Sequence, residues 1–163
     1  MNHTWPLPDL LSTRQLGEAL ARGCRWSETQ PSVAYLRGEL GAGKTTLAAS
    51  ILQALGVLEA VRSPSYSLME LYAVQAGQVV HLDLYRLQGG SELEQLGLRD
   101  YLDGRTLLLI EWPERGAGAL PRPDLEVQFL TVPVRQAGIQ AGSAAGEAWL
   151  DHARRWLATK IEN

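Results

Sequence analysis

The chain predicts an α/β fold, a single domain with a largely parallel central sheet, a β-hairpin and flanking helices. Three observations carry that expectation. The short apolar run Val33-Ala34-Tyr35-Leu36 leads at once into a glycine-rich stretch, Gly38 to Thr45. Beyond Thr45 the apolar period changes, and Leu47, Ile51, Leu52 and Leu55 fall on one helical face. Strand, loop and helix in that order around one glycine-rich turn is the α/β pattern. Length agrees, since 163 residues stand close to the ~150 of a typical domain. A chain of this size buries roughly two thirds of its unfolded surface without disulfides or metal staples.

Each element has its own local signal. Ser12 and Gln15 fit a capping box, with Leu16 and Leu20 on the apolar face of the helix that follows and Gly23 as its stop. The polar stretch from Trp26 to Ser32 is a loop, and Gly56 closes the helix after the glycine-rich turn. Ser67 to Val74 and Val79 to Tyr85 form two strands joined around Ala76-Gly77. In the second, Val80, Leu82 and Leu84 point one way while His81, Asp83 and Tyr85 point the other. Ser91 and Glu94 stand in capping-box register for a short helix ending at Gly97. Leu107 to Ile110 is a buried strand that stops abruptly at Glu111-Trp112-Pro113. A Gly/Pro-rich loop from Gly116 to Pro123 precedes a strand from Leu125 to Val134, with a last strand at Ile139-Gln140-Ala141. Trp149, Leu150, Ala153, Trp156 and Leu157 mark the buried face of a C-terminal helix.

Composition removes several function classes. The formal charge is −3, a poor footprint for gripping nucleic acid unaided. The single cysteine, Cys24, forms no internal disulfide, and no Cys/His cluster has zinc-ligand spacing. The N-terminus lacks a basic region followed by an apolar stretch, and no apolar run approaches the ~20 residues that span a bilayer. A cytoplasmic protein without membrane contact is the expectation.

The chemistry centres on Gly38-Glu39-Leu40-Gly41-Ala42-Gly43-Lys44-Thr45, a full match to G-x-x-x-x-G-K-[ST]. Its glycines let successive backbone N–H groups curl around phosphate oxygens, where a Cβ would crowd. Lys44 brings a point charge to the β- and γ-phosphates, and the Thr45 hydroxyl is a ligand for magnesium. Thr46 continues the loop into the helix, whose positive dipole end faces the same phosphates. The expected fold is therefore P-loop NTPase-like, with the phosphates of a nucleotide and Mg2+ bound. Magnesium asks for acidic groups at the carboxyl ends of neighbouring strands. Glu111, after a hydrophobic strand, and Asp83, late in its own strand, are the two candidates. His81 shares the face of Asp83; a lone histidine beside a strand is ordinarily a satisfied structural residue. Ser63-Pro64-Ser65-Tyr66 is a turn signal that, in this position of a P-loop protein, can serve as a switch sensing the γ-phosphate.

A GTPase is excluded on residues. The only asparagines are Asn2 and Asn163, so no Asn-Lys-x-Asp motif exists, and no aspartate has glycine three positions later. A small-molecule kinase, with Arg115 and Arg122 on a phosphate-gripping lid, stays open, as does a nucleotide-sensing module without useful hydrolysis.

Several runs together resemble one family, TsaE, the ATPase of bacterial tRNA threonylcarbamoyladenosine synthesis. They are the glycine loop through Thr46, Val61-Arg62-Ser63-Pro64-Ser65-Tyr66, His81-Leu82-Asp83-Leu84-Tyr85-Arg86, Glu92-Leu93 with Leu96-Gly97, and Ile110-Glu111-Trp112-Pro113-Glu114. Order and spacing agree from about Pro6 to Pro123. Ser65 stands where the family pattern usually has threonine and keeps the hydroxyl. The resemblance implies ATP as the nucleotide and an ATPase working with the TsaB and TsaD proteins, which hold the tRNA, so tRNA is met only through the complex. It implies that Asp83 and Glu111 act with magnesium in hydrolysis, that Trp112 matters for activity, and that Thr13 lies on the adenine side. Arg86 is the chain's best candidate for an arginine that reaches the γ-phosphate.

Overall fold

A computed structural model describes residues 3–161, so Met1, Asn2, Glu162 and Asn163 lie outside it. Seven strands form one sheet in the order β1-β7-β6-β2-β5-β4-β3. The four central strands, β6 (Leu125–Leu130), β2 (Ser32–Arg37), β5 (Thr106–Glu111) and β4 (Gly77–Asp83), run parallel. Antiparallel strands finish both sides: β7 (Gln136–Ala141) and β1 (His3–Pro6) beyond β6, and β3 (Met69–Val74) beyond β4.

Both faces of the sheet are covered, as parallel strands require. On one face α1 (Leu10–Gly23), α2 (Lys44–Ala54) and α4 (Ala144–Ile161) pack Leu16, Leu20, Leu47, Ile51 and Trp149 against Leu107, Leu109 and Val127. On the other, α3 (Gly90–Gln95) and the 3-10 turn that follows set Leu93 and Leu98 against Val80, Leu82, Leu108 and Ile110. Cys24 is buried, and that burial pushes its thiol up to about 12, with the negative charge of Asp124 adding to the shift.

The predicted elements are present, with local differences. Helix α1 begins earlier than Ser12: Asp9 is the N-cap, its carboxylate accepting from the Ser12 N–H at 2.8 Å while the Ser12 hydroxyl accepts from the Asp9 N–H. Ser12 is thus the third helical residue of the box, and Gln15 is not part of it. Helix α3 has no Ser91–Glu94 box; it starts at Gly90, and Glu92 instead accepts from the Gln88 N–H at 3.0 Å. In the hairpin Gly77 already pairs with Val74, so the turn is Gln75-Ala76. Both faces of β4 are buried, which places His81 and Asp83 inside rather than on a solvated face. The strand expected from Leu125 to Val134 ends at Leu130, because Pro133 has no N–H for a ladder and the chain turns there into β7. Strand β1 had no counterpart in the sequence reading. Gly56 does close α2, with Val57 N–H bonded to Leu52 O at 3.0 Å and Gly56 N–H to Gln53 O at 3.0 Å.

Candidate functional site

Because β2, β5 and β4 are parallel neighbours, their carboxyl ends open on one edge of the sheet. Register sets Leu36 opposite Glu111 and Glu111 opposite Asp83. The 38–45 loop leaves the end of β2 and turns into α2 directly over that edge. Gly38 (φ +146°) is required by close approach as well as by dihedral, since a Cβ there would sit 2.8 Å from Phe129 Cβ; Gly43 (φ +112°) is required by its left-handed dihedral, with the Arg135 guanidinium packed against it. Within the loop, Ala42 N–H bonds to the Glu39 carbonyl at 3.1 Å.

Lys44, only 4% exposed, opens α2. Its ammonium donates to the carbonyls of Gly38 and Glu39, both at 2.7 Å, and lies 4.1 Å from the centre of the Trp112 ring. Burial lowers its pKa from the ordinary lysine value, while the nearby carboxylates of Glu111, Asp83 and Glu114 push it back up. Thr45 donates its hydroxyl to Glu111, with both carboxylate oxygens at 3.0 Å. His81 Nε2 lies 2.8 Å from Glu111 Oε1. Asp83 accepts from the Ser63 hydroxyl through one oxygen and from the Tyr85 N–H, at 3.0 Å, through the other.

These groups bound a cleft of about 410 Å³. Leu40, Gly41, Gly43, Lys44, Thr45 and Thr46 form one wall; Ser63, Ser65, Tyr85 and Arg86 form the other, with Asp83, Glu111 and Trp112 at the back. Trp112 has φ +57°, unusual for a residue with a side chain, and its ring lies 4.9 Å from that of Tyr85. Arg86 holds its guanidinium 4.5 Å from the centre of the exposed Tyr66 ring.

Of the predicted site residues, Gly38, Glu39 and Ala42 belong to the loop without lining the cleft, and Thr13 does not line it either. Thr13 is fully buried in α1, where its hydroxyl donates to Asp9 O and accepts from Arg135 at 3.3 Å each. Arg135 also donates to the Ala42 carbonyl at 3.3 Å, so it ties α1 to the glycine loop. Sequence reasoning missed Arg135 because nothing local distinguishes it from any other loop arginine. It also missed the contact of His81 with Glu111, although the shared face of His81 and Asp83 was the available signal.

Thr45, Glu111 and Asp83 are all oxygen donors, the set that suits magnesium, an ion that keeps several waters and needs few protein ligands. Among the described residues no group of three or more His, Cys, Asp and Glu is placed to hold a metal ion by itself. A second cleft, about 320 Å³, lies between Leu93 and Leu98 on one side and residues 118–121 on the other. Its Glu94 and Arg99 pair with each other at 3.0 Å, leaving it without a comparable set of converging groups. No helix among the described residues is long and apolar enough to cross a membrane.

Comparison with known proteins agrees with this arrangement. The family model "Threonylcarbamoyl adenosine biosynthesis protein TsaE" matches residues 7–137. The tRNA threonylcarbamoyladenosine biosynthesis protein TsaE of Haemophilus influenzae is 42% identical over 124 residues, 76% of this chain and 78% of that one. The protein of the same name from Synechocystis is 36% identical over 113 residues, 67% of this chain and 69% of that one. A crystal structure of Bacillus subtilis YdiB superimposes with a TM-score of 0.74 over 95% of both chains at 22% identity, which supports the fold. The match runs from the first core leucine, Leu7, to Ala137 in β7 and takes in every group that bounds the cleft, so the chain belongs to the TsaE family of tRNA threonylcarbamoyladenosine biosynthesis proteins.

Proposed function

We propose that this protein binds ATP with magnesium in the cleft under the 38–46 loop and hydrolyses it in the cytoplasm, as the ATPase that supports turnover of a TsaB–TsaD complex acting on tRNA. The observation that carries the reading is the meeting of Thr45 and Glu111 at the mouth of a glycine loop, with Asp83 on the next strand end. That combination gives one place where phosphate, a hard cation and a carboxylate can meet.

The chain's own groups divide the work. Backbone N–H groups of the loop and the start of α2 take the phosphate oxygens. Lys44 neutralises the β- and γ-phosphates from below, exchanging its present carbonyl partners for phosphate oxygen. Thr45, Glu111 and Asp83 are the groups that would hold magnesium, which when bound supplies charge to the developing transition state. Asp83, joined to Ser63, also links the attacking side of the cleft to the 63–66 segment. Hydroxyls of Ser63 and Ser65 face the γ-phosphate there, and Arg86 is the nearest arginine on that wall. Arg86 now lies against Tyr66 on an exposed surface, so a docking partner that reorders this segment would raise turnover. Such an arginine contributes 10³–10⁵ in rate in known systems, on the order of the difference between a slow and a fast enzyme.

Phosphate release measured with and without purified TsaB–TsaD tests the reading. We expect slow release from the protein alone and a sharp rise when the pair is added. Fast release by the isolated protein, or no change on adding the pair, overturns it; dependence on an added metabolite instead identifies a small-molecule kinase.

A further inference from the structure

His81 is a buried member of the His-x-Asp-x-Tyr-Arg run to which the proposed function assigns no role. It sits in β4 with no exposure, two residues before Asp83 and therefore on the same face. Its Nε2 reaches Glu111 Oε1 at 2.8 Å, an oxygen that also lies 3.0 Å from the Thr45 hydroxyl. Glu111 already accepts from Thr45, and an ionised carboxylate can only accept, so the hydrogen of the shared bond belongs to Nε2.

The other end of the ring is unusual. His81 Nδ1 is the one buried side-chain nitrogen or oxygen without a hydrogen-bond partner among the described residues. A leucine would fill comparable space without stranding a polar atom in the interior, which folding ordinarily avoids. Packing therefore does not account for an imidazole here, and its only hydrogen bond does. Thr45, the second donor to Glu111, has another duty in the proposed reading as a metal ligand. That leaves His81 as the partner dedicated to Glu111.

We propose that His81 is a positioning residue for Glu111: its Nε2–H fixes the rotation of the carboxylate so that both oxygens remain presented to Thr45 and the cleft. The proposal rests on the reading of Glu111 as part of an ATP-hydrolysing site. A dedicated hydrogen-bond partner of a metal-ligating group commonly contributes 10–100-fold in activity, and the same order, about tenfold to a hundredfold, is expected here.

Three variants test it in the reconstituted TsaB–TsaD assembly. His81→Leu fills the space without a donor, His81→Gln returns an amide N–H near the place of Nε2, and Glu111→Ala removes the group being positioned. We expect His81→Leu to lower kcat by about tenfold or more with KM for ATP unchanged, and His81→Gln to recover most of the loss. A second readout needs no turnover: NMR of the imidazole in the isolated protein should place the ring hydrogen on Nε2 with the downfield shift and slow exchange of a proton bonded to a carboxylate, and Glu111→Ala should remove that shift and protection. If His81→Leu fails to fold, the glutamine variant and the NMR result decide. Full kcat in His81→Leu, equal losses in the leucine and glutamine variants, or a ring hydrogen on Nδ1 each overturn the proposal and leave the ATPase reading in place. Full kcat in Glu111→Ala instead removes the ATPase site, and the positioning role falls with it.

Discussion

The two walls of the cleft differ in where their charged groups stand, buried on one side and exposed on the other. Lys44 and the strand ends on the side of the 38–45 loop are buried and closely held beneath a loop tip, Glu39 to Gly41, that is exposed: Lys44 is 4% exposed, Glu111 2%, and each is fixed by hydrogen bonds to its neighbours. The wall from Ser63 to Tyr66 with Arg86 is only partly held: Pro64 is buried and Ser63 and Ser65 are half-buried, while Tyr66, 85% exposed, and Arg86 stand in solvent and meet in a cation–π pair. A buried wall is preorganised for charge, because fixed dipoles act strongly where water is excluded. The exposed wall has surface left to offer another macromolecule. The division suggests that binding of the nucleotide belongs to the first wall and control of its hydrolysis to the second.

Breaking the buried wall should have the largest effects. Glu111→Ala, and separately Asp83→Ala, should keep nucleotide binding and lower partner-stimulated turnover by about 10²–10³, as removal of a preorganised charge-stabilising group does. Phosphate-release kinetics beside nucleotide titration check this, and normal hydrolysis in both variants would erase the distinction between the walls. Next in size, Lys44→Ala should weaken ATP binding by about ten- to a hundredfold, the worth of hydrogen bonds to a charged group. Calorimetric titration reads the affinity, and a circular dichroism melt shows that the fold survives. Unchanged affinity would mean that phosphate is not held by this loop.

The seam between the walls should give an intermediate result. Trp112 touches Lys44 on one side and Tyr85 on the other. Trp112→Ala should therefore reduce the stimulation by TsaB–TsaD more than it reduces ATP affinity, measured by the same two assays. Equal losses would assign Trp112 to the buried wall alone. The smallest effect should come from the exposed face: Tyr66→Ala should shift folding stability by no more than about 0.5 kcal/mol, as read by chemical denaturation. A larger shift would show that the outer wall is part of the folded framework after all.

The buried wall was also the legible one. Its chemistry lies in contiguous residues, 38–46, and at Glu111, where an apolar run stops visibly; for Asp83 the sequence pattern carries the strand on to Tyr85, whereas β4 ends at Asp83 itself. Strands β2 and β5 were legible because burial on both faces leaves unbroken apolar runs, whereas β4, broken by His81 and Asp83, shows in sequence a polar face that the structure buries. What escaped depends on partners far along the chain. Strand β1 is four residues that become a strand only by pairing with β7, more than a hundred positions away. Arg135 acquires its place by meeting Thr13 and Ala42 across the fold. The cap of α1 was misplaced between two eligible residues of one short segment, Asp9 and Ser12, because either can accept a helix N–H. Which does so is decided by where the chain enters the helix, not by composition.

The approach of the Lys44 ammonium to Trp112 gives the protein an optical consequence. An indole's emission depends on the charge around its ring, and here that charge sits 4.1 Å from the ring centre on a side chain whose proposed ligand would draw it away. Of the five tryptophans, Trp149 lies deep in the core with its N–H on the Leu20 carbonyl. Trp112 is the indole that lines the cleft, so a version of the chain retaining it as the sole tryptophan would carry its own reporter of occupancy, with no dye attached to either wall.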